Sequence, residues 1–122
     1  MTRKSVLVVE DEPDIIMLIQ RSLSLKNFNV IQASSGTQAL ASFDQTTPDV
    51  VLLDIMMPDM DGFEVCRRIK EKPEGRNIPV IFLTVRSQEE DVARSKAVGA
   101  AGYITKPFDP FKLVEDIEKI LV

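Results

Sequence analysis

At 122 residues, with 44% apolar and 28% charged side chains, the chain can build one domain with a real core but not two, and it lacks the bias of a disordered protein. A formal charge of −4 argues against broad attraction to nucleic acid, and no apolar run approaches the roughly 20 residues that cross a bilayer. Histidine is absent, which removes Ser-His-Asp and Cys-His catalysis, His-containing zinc sites and a phosphohistidine carrier role, and the single Cys66 cannot form an internal disulfide. The start, "MTRKSVLVVED", is basic, but its apolar run is short and ends in acids. It reads as a first strand rather than a secretory signal, and a cytoplasmic protein is expected.

Two kinds of segment then alternate. "VLVV" (6–9) is a strand-like aliphatic run, followed by a helical pattern in which Pro13 suits the first turn and Ile15, Ile16, Ile19 and Leu23 recur on one face. "FNVIQA" is a weaker strand, and Ser34-Ser35-Gly36 leads into a second helix marked by Ala39, Leu40 and Phe43. "VVLL" (50–53) precedes a helix carrying Val65, Cys66 and Ile69 and closed by "EKPEG". "VIFL" (80–83) precedes a helix from about Ser87 to Val98, with Gly99 as its stop. "GYIT" is the last strand, and Asp109 caps a final helix with Leu113, Val114, Ile117, Ile120 and Leu121 on one face. Unbroken aliphatic runs suit parallel strands covered on both faces, so five βα units imply a parallel sheet with helices on both sides. Ligands bind at the carboxyl ends of such strands.

Those ends carry the reactive residues. "VLVV" runs into Glu10-Asp11, "VVLL" into Asp54, "VIFL" into Thr84 and "GYIT" into Lys106. Two carboxylates about 4 Å apart repel by roughly 4 kcal/mol at an effective dielectric near 20. Three acids together become sensible around a hard divalent cation, and Mg²⁺ is the expected ion. A lysine and a hydroxyl beside them complete a site for a phosphoryl group, with Asp54 as nucleophile. Plainer readings exist for single residues. Glu10-Asp11 could open the next helix, Thr84 is a good strand former, and Tyr103 could be a half-buried strand aromatic. Asp59, Asp61 and Gly62 read as turn chemistry, and Cys66 with the Met56-Met57 side chains is expected to pack. Lys106 precedes Pro107, and a cis bond there is expected, holding the lysine inward.

"VLVVEDEP", "PDVVLLDIMMPDMDGFEV", "VIFLT" and "GYITKPFDP", in this order and spacing, resemble the motifs of the response-regulator receiver domain over essentially the whole chain. The resemblance implies a flavodoxin-like (βα)5 fold with strand order 2-1-3-4-5. It implies that Asp54 accepts a phosphoryl group from a histidine kinase or phosphotransfer protein, with Asp11, Asp54 and the Met56 carbonyl as Mg²⁺ ligands and Glu10 acting directly or through water. Thr84 and Lys106 would contact the phosphoryl oxygens. Thr84 and Tyr103 would switch the surface of helix 4, strand 5 and helix 5. Met56 and Arg86 stand where the family tunes phosphoryl lifetime. Three features depart from common patterns: Glu-Asp in place of Asp-Asp, Val85 after Thr84, and "GAAGY" where DNA-binding relatives often have "GADDY". The last removes acids used in that subfamily's dimer, so a monomer or weak dimer is expected.

The chain stops after its fifth helix, and residues 1–122 read as a stand-alone receiver that acts on an unknown downstream protein or relays phosphate to one. No direct nucleic-acid contact and no membrane insertion are expected. The rival reading is an aspartyl-nucleophile, Mg²⁺-dependent phosphohydrolase, which in its best-known superfamily carries a general-acid Asp two residues after the nucleophile. Met56 occupies that position here. A nucleotide- or flavin-binding module is a weaker rival, since "EDEPD" replaces a glycine-rich loop after the first strand.

Overall fold

The computed structural model describes residues 3–85 and 89–121, with the backbone alone for 89–92. Its elements are β1 (Ser5–Val9), α1 (Pro13–Ser24), β2 (Asn29–Ala33), α2 (Gly36–Gln45), β3 (Val50–Asp54), α3 (Gly62–Glu71), β4 (Val80–Thr84), α4 (Glu89–Ala97), β5 (Gly102–Thr105) and α5 (Pro110–Leu121). All strand pairs are parallel and the sheet order is β2-β1-β3-β4-β5. The alternation of aliphatic runs and amphipathic helices implied the parallel sheet covered on both faces, and the resemblance to receiver domains implied this flavodoxin-like strand order.

Alternation along the central strands divides the core in two. Leu7, Val9, Val51, Leu53, Val80 and Phe82 face α2 and α3, where Phe43, Val65, Cys66 and Ile69 close the layer. Val6, Val8, Val50, Leu52, Ile81 and Leu83 face α1 and α5, meeting Ile19, Leu23, Leu113 and Ile117. The central strands are therefore buried on both sides, which is why they read as continuous aliphatic runs rather than alternating ones. Each fully buried Leu, Ile or Phe contributes roughly 1.5–3 kcal/mol.

Helix ends follow local chemistry. Pro13 opens α1 after Glu12, and Ser35 caps α2 by accepting the Gln38 N–H. Asp61 caps α3 by accepting the Glu64 N–H at 2.9 Å, and Asp109 accepts the Phe111 N–H at 2.9 Å in front of α5. Gly99 follows α4 at φ +85°, a backbone conformation that glycine adopts without steric cost. Ser87, the expected start of the fourth helix, lies outside the described residues. Among the described residues no helix is long and apolar enough to cross a membrane.

Candidate phosphoacceptor site

Register carries the four strand endings to one place. Val9 of β1 pairs with Leu53 of β3, so Glu10, one residue on, stands level with Asp54. Asp54 pairs with Leu83 of β4, which puts Thr84 one step beyond it. Thr84 pairs with Thr105, and the Lys106 N–H donates to the Thr84 carbonyl at 2.6 Å. Lys106 therefore leaves the sheet beside the acids rather than away from them. The Lys106–Pro107 peptide bond is cis.

The side chains form a tight cluster. Glu10 is fully buried and Asp54 and Thr84 nearly so, while Asp11 is exposed at the rim. One carboxylate oxygen from each of Glu10, Asp11 and Asp54 lies within 4.8 Å of the others. The Lys106 ammonium sits 2.5 Å from Glu10 Oε1 and 3.5 Å from Asp54 Oδ2. Glu10 Oε2 accepts the Glu12 N–H at 3.2 Å, and Asp54 Oδ1 accepts the Met56 N–H at 3.1 Å.

One buried ammonium cannot neutralise two buried acids and a third at the rim. Burial pushes the Glu10 carboxyl up to about 7, its Lys106 partner opposing and the Asp54 charge adding to the rise. Burial raises Asp54 as well, Lys106 and the Met56 N–H opposing and Asp11 adding to the rise. Burial works against the Lys106 ammonium, yet Glu10 and Asp54 more than offset it, and its pKa is raised. Three carboxylate oxygens within reach of one point, with surplus negative charge, are what a hard divalent cation needs. The residues fit Mg²⁺.

Asp59, in the loop after β3, and Gly62, the first residue of α3, do more than their turn-forming character implied. Asp59 reaches back to α2, accepting the Gly36 N–H at 3.0 Å, the Thr37 N–H at 3.0 Å and the Thr37 hydroxyl at 2.8 Å. It serves as a second cap on that helix from 23 residues away, a role no local pattern could reveal. These donors lower its carboxyl to about 2. A depressed carboxylate stabilises the fold above its ordinary value of 3.8 and loses that contribution as pH falls through about 2. Asp59→Asn should therefore melt below wild type at neutral pH, with the gap closing on acidification. A gap independent of pH in thermal melts would remove the charge from the cap. Gly62 is the second residue. Its N–H donates to the Ile55 carbonyl at 2.7 Å, and a Cβ there would stand 2.4 Å from the Asp54 carbonyl oxygen.

Other expectations meet mixed outcomes. Cys66 is buried and Met57 packs against the first core cluster, but the Met56 side chain is 63% exposed. The expectation that both methionines pack is corrected at Met56: its backbone turns away from the core to present the N–H to Asp54, which points the side chain outward. Tyr103 is 43% exposed, an outward-facing ring beside Ser95, Lys96 and Asp116. Arg86 lies outside the described residues. A cleft of about 550 Å³ opens at the strand ends, walled by Asp11, Ile55, Met56, Phe63, Thr84 and Arg94, among them residues around Asp54 in the chain and across the sheet.

Residues 6–118 match the family model described as "Response regulator receiver domain". The chain belongs to that family. It is 36% identical over 118 residues to the alkaline phosphatase synthesis transcriptional regulatory protein PhoP of Bacillus subtilis, a match covering 97% of this chain and 48% of PhoP. This receiver thus spans about half the length of the curated relatives it matches. The chemotaxis protein CheY4 of Vibrio cholerae superposes with a TM-score of 0.95 at 31% identity, covering 98% of this chain and 100% of that one. The receiver domain of a sensor histidine kinase from Pseudomonas aeruginosa, solved with a magnesium ion coordinated in its active-site cleft, superposes with a TM-score of 0.90 at 28% identity, covering 98% of each chain. The receiver is homologous to response regulators of two-component systems, and a phosphoacceptor role fits its geometry.

Proposed function

We propose that this receiver takes a phosphoryl group on Asp54 from the phosphohistidine of a sensor kinase or phosphotransfer protein. The observation that carries the reading is the Lys106 ammonium within ion-pair reach of both Glu10 and Asp54, beside the exposed Asp11. In the transfer, an Asp54 carboxylate oxygen forms the new O–P bond as the donor's N–P bond breaks. The imidazole leaves with the electron pair and takes a proton from solvent. Met56 N–H on Oδ1 fixes the rotation of the carboxylate, so the other oxygen faces Lys106. Lys106 then meets the phosphoryl oxygens, and Thr84 offers its hydroxyl from the neighbouring strand end. Glu10, Asp11, Asp54 and the Met56 carbonyl would hold Mg²⁺, which when bound supplies positive charge opposite the transferred oxygens.

The reaction stops at the protein's own phosphoaspartate. Met56 leaves no acid two residues after the nucleophile to protonate an alcohol leaving group, so small phosphomonoesters should not turn over. The added charge then biases the face carrying Tyr103, with Thr84 as the link, and either that face is read by a downstream protein or Asp54 passes its phosphoryl group on to one. Helix α1, which follows Asp11 in the chain, selects the upstream partner. The protein works in the cytoplasm as a monomer or weak dimer.

Mg²⁺ should raise the melting temperature by mass action, and by clearly less in Asp11→Asn. Equal shifts in both proteins, measured by thermal melts over a Mg²⁺ series, would take Asp11 out of the ion's coordination.

A further inference from the structure

The outer wall of the cleft carries a cation that the acid cluster does not use. Arg67 and Arg68 on α3 are paired with Glu64, and Arg67 with Glu71 as well. Arg94 on α4 is held differently. Its guanidinium carbon sits 4.2 Å from the centroid of the Phe63 ring, and no carboxylate among the described residues pairs with it. Phe63 is buried and in turn meets the Phe82 ring of β4 at 5.0 Å, tilted by 53°. A rigid two-ring stack thus runs out from the sheet and ends on an exposed cation at the cleft wall. Stacking occupies the flat face of a guanidinium and leaves the N–H donors at its edge available for a planar or tetrahedral anion.

The chemistry of the cleft calls for such a group. A phosphoryl donor is an anion, and the cleft lining presents it with two carboxylates, Asp11 and Asp61. Lys106 is already engaged by Glu10 deep in the site. We infer that Arg94 is a donor-binding residue that holds small anionic phosphoryl donors, acyl phosphates and phosphoramidates, at the outer wall of the cleft. The inference rests on Asp54 being the phosphoacceptor. Arg94 raises the occupancy of the cleft by the donor and takes no part in the bond-making step, which stays with Asp54 and Lys106.

Electrostatic attraction and structural support leave different signatures. Removing a cation near the acids weakens binding of an anion but leaves Mg²⁺ binding as tight or tighter, whereas loosening α4 harms both. The test is the second-order rate of acetyl phosphate labelling at saturating Mg²⁺, followed by intact mass, in wild type, Arg94→Gln and Arg94→Lys, with Mg²⁺ affinity of each protein by calorimetry. Arg94→Gln should label about five-fold more slowly at low salt, with the gap shrinking as salt screens the charge. Arg94→Lys should recover most of the rate, and Mg²⁺ affinity should not fall in either variant. A wild-type rate in Arg94→Gln overturns donor binding and leaves Asp54 as the acceptor untouched. A parallel loss of Mg²⁺ affinity also overturns it, assigning Arg94 to support of α4. No label on wild type removes the acceptor assignment, and this inference with it.

Discussion

Lys106→Ala should lose about 3 kcal/mol of stability in metal-free buffer above neutral pH, and should take up phosphoryl groups at least ~10-fold more slowly. The ammonium is the shared counter-ion of Glu10 and Asp54, at 2.5 and 3.5 Å. Without it, two buried acids face each other and the rim charge of Asp11 with no cation. Glu10 already stands near 7 with the lysine in place, and its removal drives both acids further up. An acid whose folded pKa is raised stabilises the fold below its ordinary value of 4.5 and loses that contribution as pH rises through the folded value. The cost of Lys106→Ala must therefore be smallest in acid and grow toward alkaline pH. Mg²⁺ should return more stability to the variant than to wild type, because it replaces the missing positive charge. Denaturant unfolding at several pH values, with and without Mg²⁺, measures all three effects. An alkaline, metal-free variant as stable as wild type would mean that the ammonium does not hold these acids together.

Gly62→Ala is the second large effect, about 3 kcal/mol of destabilisation with impaired phosphoryl uptake. Alanine is the better helix former, and at an open first-turn position it would gain up to about 1 kcal/mol. Here the added methyl would sit 2.4 Å from the Asp54 carbonyl oxygen and 2.8 Å from the Ile55 Cα. Both are backbone atoms of the segment that carries the nucleophile and the Met56 N–H, so neither can rotate away. Relief requires α3 to shift from the end of β3, which displaces Asp54 from Lys106. The sign of the change in equilibrium stability decides between the two effects. A stabilised Gly62→Ala protein would show that the helix start and the loop are not in close contact.

These two positions mark where sequence reasoning reached and where it stopped. β1, β3 and β4 were legible because burial on both faces forces unbroken aliphatic runs, and Glu10, Asp54 and Thr84 were legible because each directly ends such a run, whereas Lys106 follows the weaker, partly exposed edge strand β5. Convergence then followed from parallel pairing alone. Asp59 and Gly62 lay in the same quoted stretch as Asp54, yet their partners are Gly36, Thr37 and the Asp54 backbone, contacts set by how loops meet in space. Local composition reported only that a turn was present. Met56 shows the opposite error: an apolar residue next to a buried strand was assigned to the core, although the loop geometry that directs its N–H to Asp54 leaves its side chain in water. Arg94 gave no signal in the sequence, because an arginine on a helix is ordinary until an aromatic ring is found beneath it.

Site-resolved phosphoryl labelling bears most directly on the convergence of strand ends around Asp54. Incubated with acetyl phosphate and Mg²⁺, the wild-type protein should gain the mass of a single phosphoryl group, alkali-labile and hydroxylamine-sensitive as acyl phosphates are, and Asp54→Asn should gain none. Label on Asp54→Asn at wild-type yield would place the acceptor elsewhere and contradict the mechanism built on this cluster.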